Sequence, residues 1–179
     1  MLLIENTLLL VIDVQDRMMA AIRNREELES GIATLVRSCR ILGLPIMTMQ
    51  QYTKGLGDSV ALIKDALGEF EPVEKISFSC YGADEFVSKL TGHNRKNVLV
   101  SGVEAHVCVQ QTVLDLLANG YSAYLIADCI GSRKAADLEY AEKRMQQAGA
   151  IVTTMESALF EMVKTADHPL RKDITGLIK

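Results

Sequence analysis

Residues 7–13 read TLLLVID, an unbroken apolar run from Leu8 to Ile12 that ends on the carboxylate of Asp13. A half-buried strand would alternate apolar and polar residues, so a continuous run of this length is expected of a strand covered on both faces. Working outward, Leu28, Ile32, Leu35, Val36, Cys39 and Leu42 follow a helical stripe closed by Gly43. PIMTMQQ (45–51) reads as a second strand, residues 60–67 as a short helix, residues 73–77 as a third strand and residues 83–90 as a helix. NVLVS (97–101) is a fourth strand, and residues 106–119 form a helix closed by Gly120. Strands five (122–127) and six (150–154) flank a helix over 135–148, and residues 155–163 form a last helix. This βαβα alternation predicts an α/β fold, a doubly wound three-layer αβα sandwich on a mainly parallel sheet.

No linker, repeat or low-complexity stretch interrupts the 179 residues, so a single domain spanning 1–179 is expected. Hydrophobic residues make up 49 % and charged residues 23 %, a globular balance, and with no tryptophan and 5 % aromatics the core must be aliphatic. A net charge of −4 gives no electrostatic footprint for nucleic acid or an anionic membrane, which leaves small molecules as the expected partners. The opening MLLIENTLLLVIDVQD lacks a basic leader, carries Glu5 and shows no small-residue cleavage pattern, so it does not read as a signal peptide. No apolar run approaches the ~20 residues of a membrane span. A cytoplasmic location is therefore expected, with Cys39, Cys80, Cys108 and Cys129 held as free thiols. They show no CxxC or metal-ligand spacing, the three histidines are scattered, and neither GxGxxG after strand one nor GxxxxGK[ST] occurs. No metal or cofactor is expected.

In doubly wound sheets, ligands bind beyond the carboxyl ends of the strands, near the point where strand order reverses. Asp13 closes strand one, Lys75 lies in or just after strand three, and Cys108 opens the helix after strand four. Asp128 and Cys129 follow strand five, which makes Cys129 the second candidate nucleophile. At 3.6 residues per turn, Cys108 aligns with Thr112, Asp115 and Asn119, about 100° from the apolar stripe Val109, Val113, Leu116 and Leu117. It also sits in the first helical turn, where free N–H groups and the helix dipole favour an anion and lower a thiol pKa. Cys39, on its helix stripe, reads as a core thiol, and Cys80 has no visible activator. Asp13 could instead cap the following turn, and Lys75 could instead blunt an edge strand. Together with Cys108, however, they form a base, a cation and a nucleophile.

VIDVQD around Asp13, EKISFSCYG around Lys75 and SGVEAHVCVQQTVLDLLANGY around Cys108 resemble the isochorismatase-like cysteine hydrolase superfamily. QQYTKGLG and GVEAHVCVQQT are most similar to its isochorismatase domain-containing branch. The resemblance spans nearly the whole chain and implies a six-stranded parallel sheet of order 3-2-1-4-5-6. It also implies a catalytic triad of Asp13, Lys75 and Cys108, with a non-proline cis peptide at Val103–Glu104. Backbone N–H groups at Glu104 or Ala105 and at Cys108 are then the implied oxyanion hole. Family nicotinamidases hold a metal with an Asp and paired histidines between the first two triad residues. No histidine lies between Asp13 and Lys75, so neither that metal nor nicotinamide is expected. Members that cleave the vinyl ether of isochorismate lack the cysteine kept here.

The reading is a hydrolase that cleaves a C–N (amide) bond of a small metabolite through a thioester, with Tyr52, Phe78 and Tyr81 shaping the pocket. Family habit implies a homo-oligomer. Two rivals stand beside it: a thiol-based redox or sensor protein, and a non-catalytic oligomeric interaction protein on the same fold.

Overall fold

The computed structural model describes residues 1–179. Strands β1 (Thr7–Ile12), β2 (Ile46–Gln51), β3 (Val73–Lys75), β4 (Asn97–Val103), β5 (Ser122–Gly131) and β6 (Ile151–Thr153) form one sheet. Its order is β3-β2-β1-β4-β5-β6, and every ladder in it is parallel. The long connections carry α2 (Arg25–Ile41), α4 (Ala61–Leu67), α5 (Asp84–Gly92), α6 (Gln110–Ala118) and α7 (Ala135–Gln147), with α8 (Met155–Val163) and α9 (Arg171–Ile178) following β6. Two one-turn helices, α1 (Asp16–Met19) and α3 (Thr53–Leu56), sit in the loops after β1 and β2.

The unbroken apolar run of β1 is explained by the two cores it feeds. Leu9 and Val11 point into one, filled by Leu35, Val36, Ile63, Leu159 and Ile174 from α2, α4, α8 and α9. Leu8, Leu10 and Ile12 point into the other, filled by Phe86, Leu90, Val113, Leu116 and Met145 from α5, α6 and α7. All six β1 side chains are fully buried, and each of the five apolar ones stabilises the fold by roughly 1.5–3 kcal/mol relative to exposure.

The strand order reverses between β1 and β4, where Ile12 pairs with Gly102. Gly102 has φ +122°, and a Cβ built there would lie 2.0 Å from Ile12 O. Only glycine lets the two strands meet at this point. Gly102→Ala is therefore expected to destabilise the protein by about 3 kcal/mol or more in urea unfolding, from strain and the lost β1–β4 pairing. Destabilisation below about 1 kcal/mol would show that β4 reaches this point by another path.

Strand five runs on to Gly131 instead of stopping at residue 127. Its register shifts between Val100 and Gly102, after which Ile130 and Gly131 still pair with Gly102 and Val103. Asp128 and Cys129 consequently lie inside the strand, not beyond its end. Helix α9, α1 and α3 were not expected from the sequence. No helix is long and apolar enough to cross a membrane.

Candidate active site

Three neighbouring strands deliver three polar side chains to one edge of the sheet. Asp13, the first residue past β1, turns out of the strand with φ 54° while its N–H donates to Met49 O at 3.2 Å. That turn places its carboxylate inside the protein, fully buried. Gln51 ends β2. Lys75 ends β3, where the alternation Val73 in, Glu74 out, Lys75 in sends its ammonium inward. The Lys75 Nζ donates to Asp13 Oδ2 at 2.7 Å, to Gln51 Oε1 at 2.7 Å and to Ser77 O at 3.3 Å. All three ammonium donors are thus satisfied, as burial of a charge requires.

Gln51 is itself fixed. Its Nε2 donates to Ile76 O, its N–H donates to Gln15 Oε1 at 2.7 Å, and Gln15 Nε2 donates to Gln51 O at 3.0 Å and Gly57 O at 2.6 Å. Neither glutamine was singled out in the sequence. The available signal was the one used for Asp13: VIDVQ and TMQQ are both apolar strands ending in buried polar residues.

The fourth group arrives from β4. The Val103–Glu104 peptide is cis, and residues Ala105–Val109 form a π turn ahead of α6. Glu104 O accepts from Val107 N at 3.0 Å and from Val109 N, five residues on, at 3.3 Å. Cys108 lies in this turn, and its thiol neighbours the Asp13 carboxylate, whose Oδ1 is buried with no hydrogen-bond partner. Cys108 O accepts from Thr112 Oγ1 at 2.7 Å, and that hydroxyl accepts from Cys80 N at 3.0 Å. Ser79 Oγ donates to Asp115 Oδ2. The loop after Lys75 is therefore stitched to the helix that carries Cys108.

At Cys108 and Thr112 the off-stripe face of that helix is closed to solvent. Cys108 is 3 % exposed and Thr112 fully buried, because the Ser79–Cys80 segment covers them. The wider π turn also breaks the 100° spacing over residues 105–109. The expected drop in the Cys108 thiol pKa is overturned as well. Burial pushes it up, the Asp13 charge adds to the rise, and Lys75 only partly opposes it. Burial also lifts the Asp13 carboxyl above its usual range, outweighing the attraction of Lys75. Burial thus opposes ionisation of the thiol, which stands beside the buried Lys75–Asp13 contact.

Cys108 and Gln51 line a cavity of about 390 Å³ with apolar walls from Met18, Ala21, Leu56, Phe78 and Val107. Arg17, Glu104 and Arg133 complete the lining. A larger hollow of about 460 Å³ lies at the other end of the sheet, where β2 begins at Ile46, and has no thiol. Of the three aromatics expected at the pocket, Phe78 lines it. Tyr52 and Tyr81 do not. Tyr52 is 49 % exposed and stands over Gly55, and the Tyr81 ring packs edge-on against Phe86 at 5.5 Å.

Cys129 is a fully buried core thiol on the α2 face, away from this cavity, which removes it as a nucleophile. Asp128 Oδ1 instead accepts from Met155 N at 2.8 Å, at the start of α8. Burial raises the thiol pKa of Cys39, Cys80 and Cys129 too, to about 12 for Cys39 and Cys80. His106 Nδ1 stands 3.0 Å from Ser132 Oγ and 3.3 Å from Glu104 Oε2, so it braces the turn.

A doubly wound αβα sandwich with an acid, a lysine and a thiol gathered where the strand order reverses defines an isochorismatase-like architecture. The Isochorismatase domain family matches residues 7–157, and the chain belongs to this family. Isochorismatase domain-containing protein 1 of Salmo salar is 39 % identical over 169 residues, covering 93 % of this chain. The chain spans only 59 % of that relative's length. The secreted isochorismatase effector Isc1 of Phytophthora sojae is 34 % identical, over 97 % of this chain and 85 % of its own. A solved structure described as the MAR1 ribonuclease of Caenorhabditis elegans superposes with a TM-score of 0.93 at 36 % identity, over 99 % of this chain and 91 % of that one.

Proposed function

We propose that this chain is a cysteine-dependent amidase that cleaves the C–N bond of a small metabolite through a thioester on Cys108. The observation that carries this reading is the fully buried Lys75–Asp13 pair, 2.7 Å apart, next to a thiol that lines a small-molecule-sized cavity.

A proton moving from the Cys108 thiol to Asp13 only shifts negative charge between neighbouring buried atoms, both close to Lys75. Net charge in the site is unchanged, so the burial that disfavours each anion largely cancels in the transfer. The sulfur then attacks the amide carbon. Backbone N–H groups of Glu104 or Ala105 and of Cys108 are the donors we assign to the oxyanion, because the first N–H groups of a helical turn have no carbonyl one turn back. Asp13 returns its proton to the nitrogen as the C–N bond breaks, which releases the amine and leaves an acyl thioester. Asp13 next draws a proton from water, the resulting hydroxide oxygen displaces the sulfur, and Asp13 hands that proton to the departing thiolate, which frees the acid and restores both the thiol and the carboxylate.

The four free thiols suit a reducing cytoplasm. The apolar residues left on the sheet edge at Ile151 and Val152 suit assembly into a homo-oligomer, which light scattering would read.

The test is ammonia release from a panel of small primary amides, with wild type beside Cys108→Ala. Wild type should release ammonia from at least one of them, and the variant should lose roughly 10³-fold or more of that rate. Equal rates in the two proteins remove the mechanism. The worm relative's description makes RNA a necessary member of the panel. RNA cleavage that depends on Cys108, with no ammonia from any amide, would replace the amidase reading.

A further inference from the structure

The cavity that holds Cys108 has four polar side chains besides the thiol, and three of them are already spent. Gln51 gives its oxygen to Lys75 and its amide N–H to Ile76 O. Glu104 and Arg133 neutralise each other through a 2.5 Å ion pair, which the Arg133 N–H reinforces on Glu104 Oε2. Arg17 is different. Its Nη1 donates to the neutral carbonyl of Gly55 at 2.6 Å, and it forms no ion pair. Arg17 is thus the one charged side chain of the lining without a counter-charge, and the remaining N–H donors of its exposed guanidinium fork are free for a ligand. The rest of the lining is apolar.

On the reading of Cys108 as an amidase nucleophile, we propose that Arg17 selects substrates that carry a carboxylate, such as the monoamide of a small dicarboxylic acid. The unspent fork at the cavity lining matches two carboxylate oxygens. Met18, Leu56, Phe78 and Val107 face the short hydrocarbon spacer between that carboxylate and the amide at the thiol. A neutral alkyl amide of the same length leaves the fork to water alone, so it gains nothing from Arg17.

The discriminating measurement compares kcat/KM for succinic acid monoamide with that for butanamide in each protein. Wild type should favour the anion by about tenfold or more. Arg17→Ala should bring the ratio close to one, Arg17→Lys should keep part of it, and Lys172→Ala on the exposed side of α9 should keep all of it. A wild-type ratio near one, or an Arg17→Ala loss that is equal for both amides, overturns the proposal while leaving the amidase reading intact. If neither amide is cleaved, the amidase reading is what fails, and calorimetry with succinate decides the fate of Arg17. Succinate should bind wild type at least tenfold more tightly than Arg17→Ala, and equal or undetectable binding in both overturns the proposal.

Discussion

Lys75→Met should cost this protein both its activity and a large share of its stability. The ammonium satisfies Asp13, Gln51 and Ser77 O at once, and its side chain has no solvent exposure. Methionine fills a similar volume but returns no donor, which leaves two buried acceptors and the half-buried Ser77 O unpaired and Asp13 without a counter-charge. Breaking a buried pair from one side costs about 3–5 kcal/mol, or roughly a 10 °C fall in Tm for a chain of this size. The loss should depend on pH in a defined sense. Asp13 already has a folded-state pKa raised above its unfolded value, so the stability linked to its protonation is complete below the ordinary carboxyl value. That stability is lost as pH rises through the raised folded value. Without Lys75 the rise is larger, so Lys75→Met should approach wild-type stability on acidification and fall behind it again near neutrality. Urea unfolding at pH 5 and pH 8 reads this directly. Asp13→Leu combined with Lys75→Met should regain stability but no activity, because the pair is then replaced rather than broken. Activity in Lys75→Met should fall by roughly 10³-fold, since the cation beside the thiolate is gone. A Lys75→Met protein that melts with wild type and keeps a tenth of its rate would remove Lys75 from the mechanism.

What the sequence made legible is what repeats or ends abruptly. The β1 run and the α2 stripe each carry several residues of one period, so their identity survives errors at single positions. Asp13, Lys75 and Cys108 stood out because each interrupts or terminates such a pattern. Burial was less legible, because it depends on partners far along the chain. Cys108 reads as off-stripe, and nothing local shows that Cys80 and Ser79 close over that position through Thr112 and Asp115. The thiol pKa went the wrong way for the same reason, since the local helix-terminus effect was visible while the distant wall was not. Asp128 and Cys129 look like a loop because a polar residue follows an apolar run, but β4 extends to Val103 and gives them a partner strand. The clamp of Gln51 by Gln15 carries no local signal, because it is set by the β1–β2 pairing. Tyr52 and Tyr81 lie near strand ends in the sequence, which fixes a backbone position and leaves the ring direction undetermined.

Asp13→Asn is the substitution that separates a base from a mere neighbour of the thiol. The side chain keeps its shape but can no longer accept the Cys108 proton, so kcat should fall by roughly 10²–10⁴-fold. In wild type the base must be ionised, and burial has lifted its pKa above the usual carboxylate range. The wild-type kcat/KM should therefore rise with pH through that elevated value and then level off. In Asp13→Asn the thiol must ionise unaided, and burial has pushed its own pKa up. The acid limb should vanish, and the residual rate should climb continuously into the alkaline range. Iodoacetamide labelling followed by mass spectrometry reports the same difference without a substrate. Near neutral pH, Cys108 of wild type should label ahead of Cys39, Cys80 and Cys129, because of the four free thiols it is the one that lines the cavity. In Asp13→Asn that lead should disappear. If Cys108 labels equally fast in both proteins, with unchanged pH profiles, the carboxylate beside it serves only to hold Lys75, and the sulfur finds its proton acceptor elsewhere.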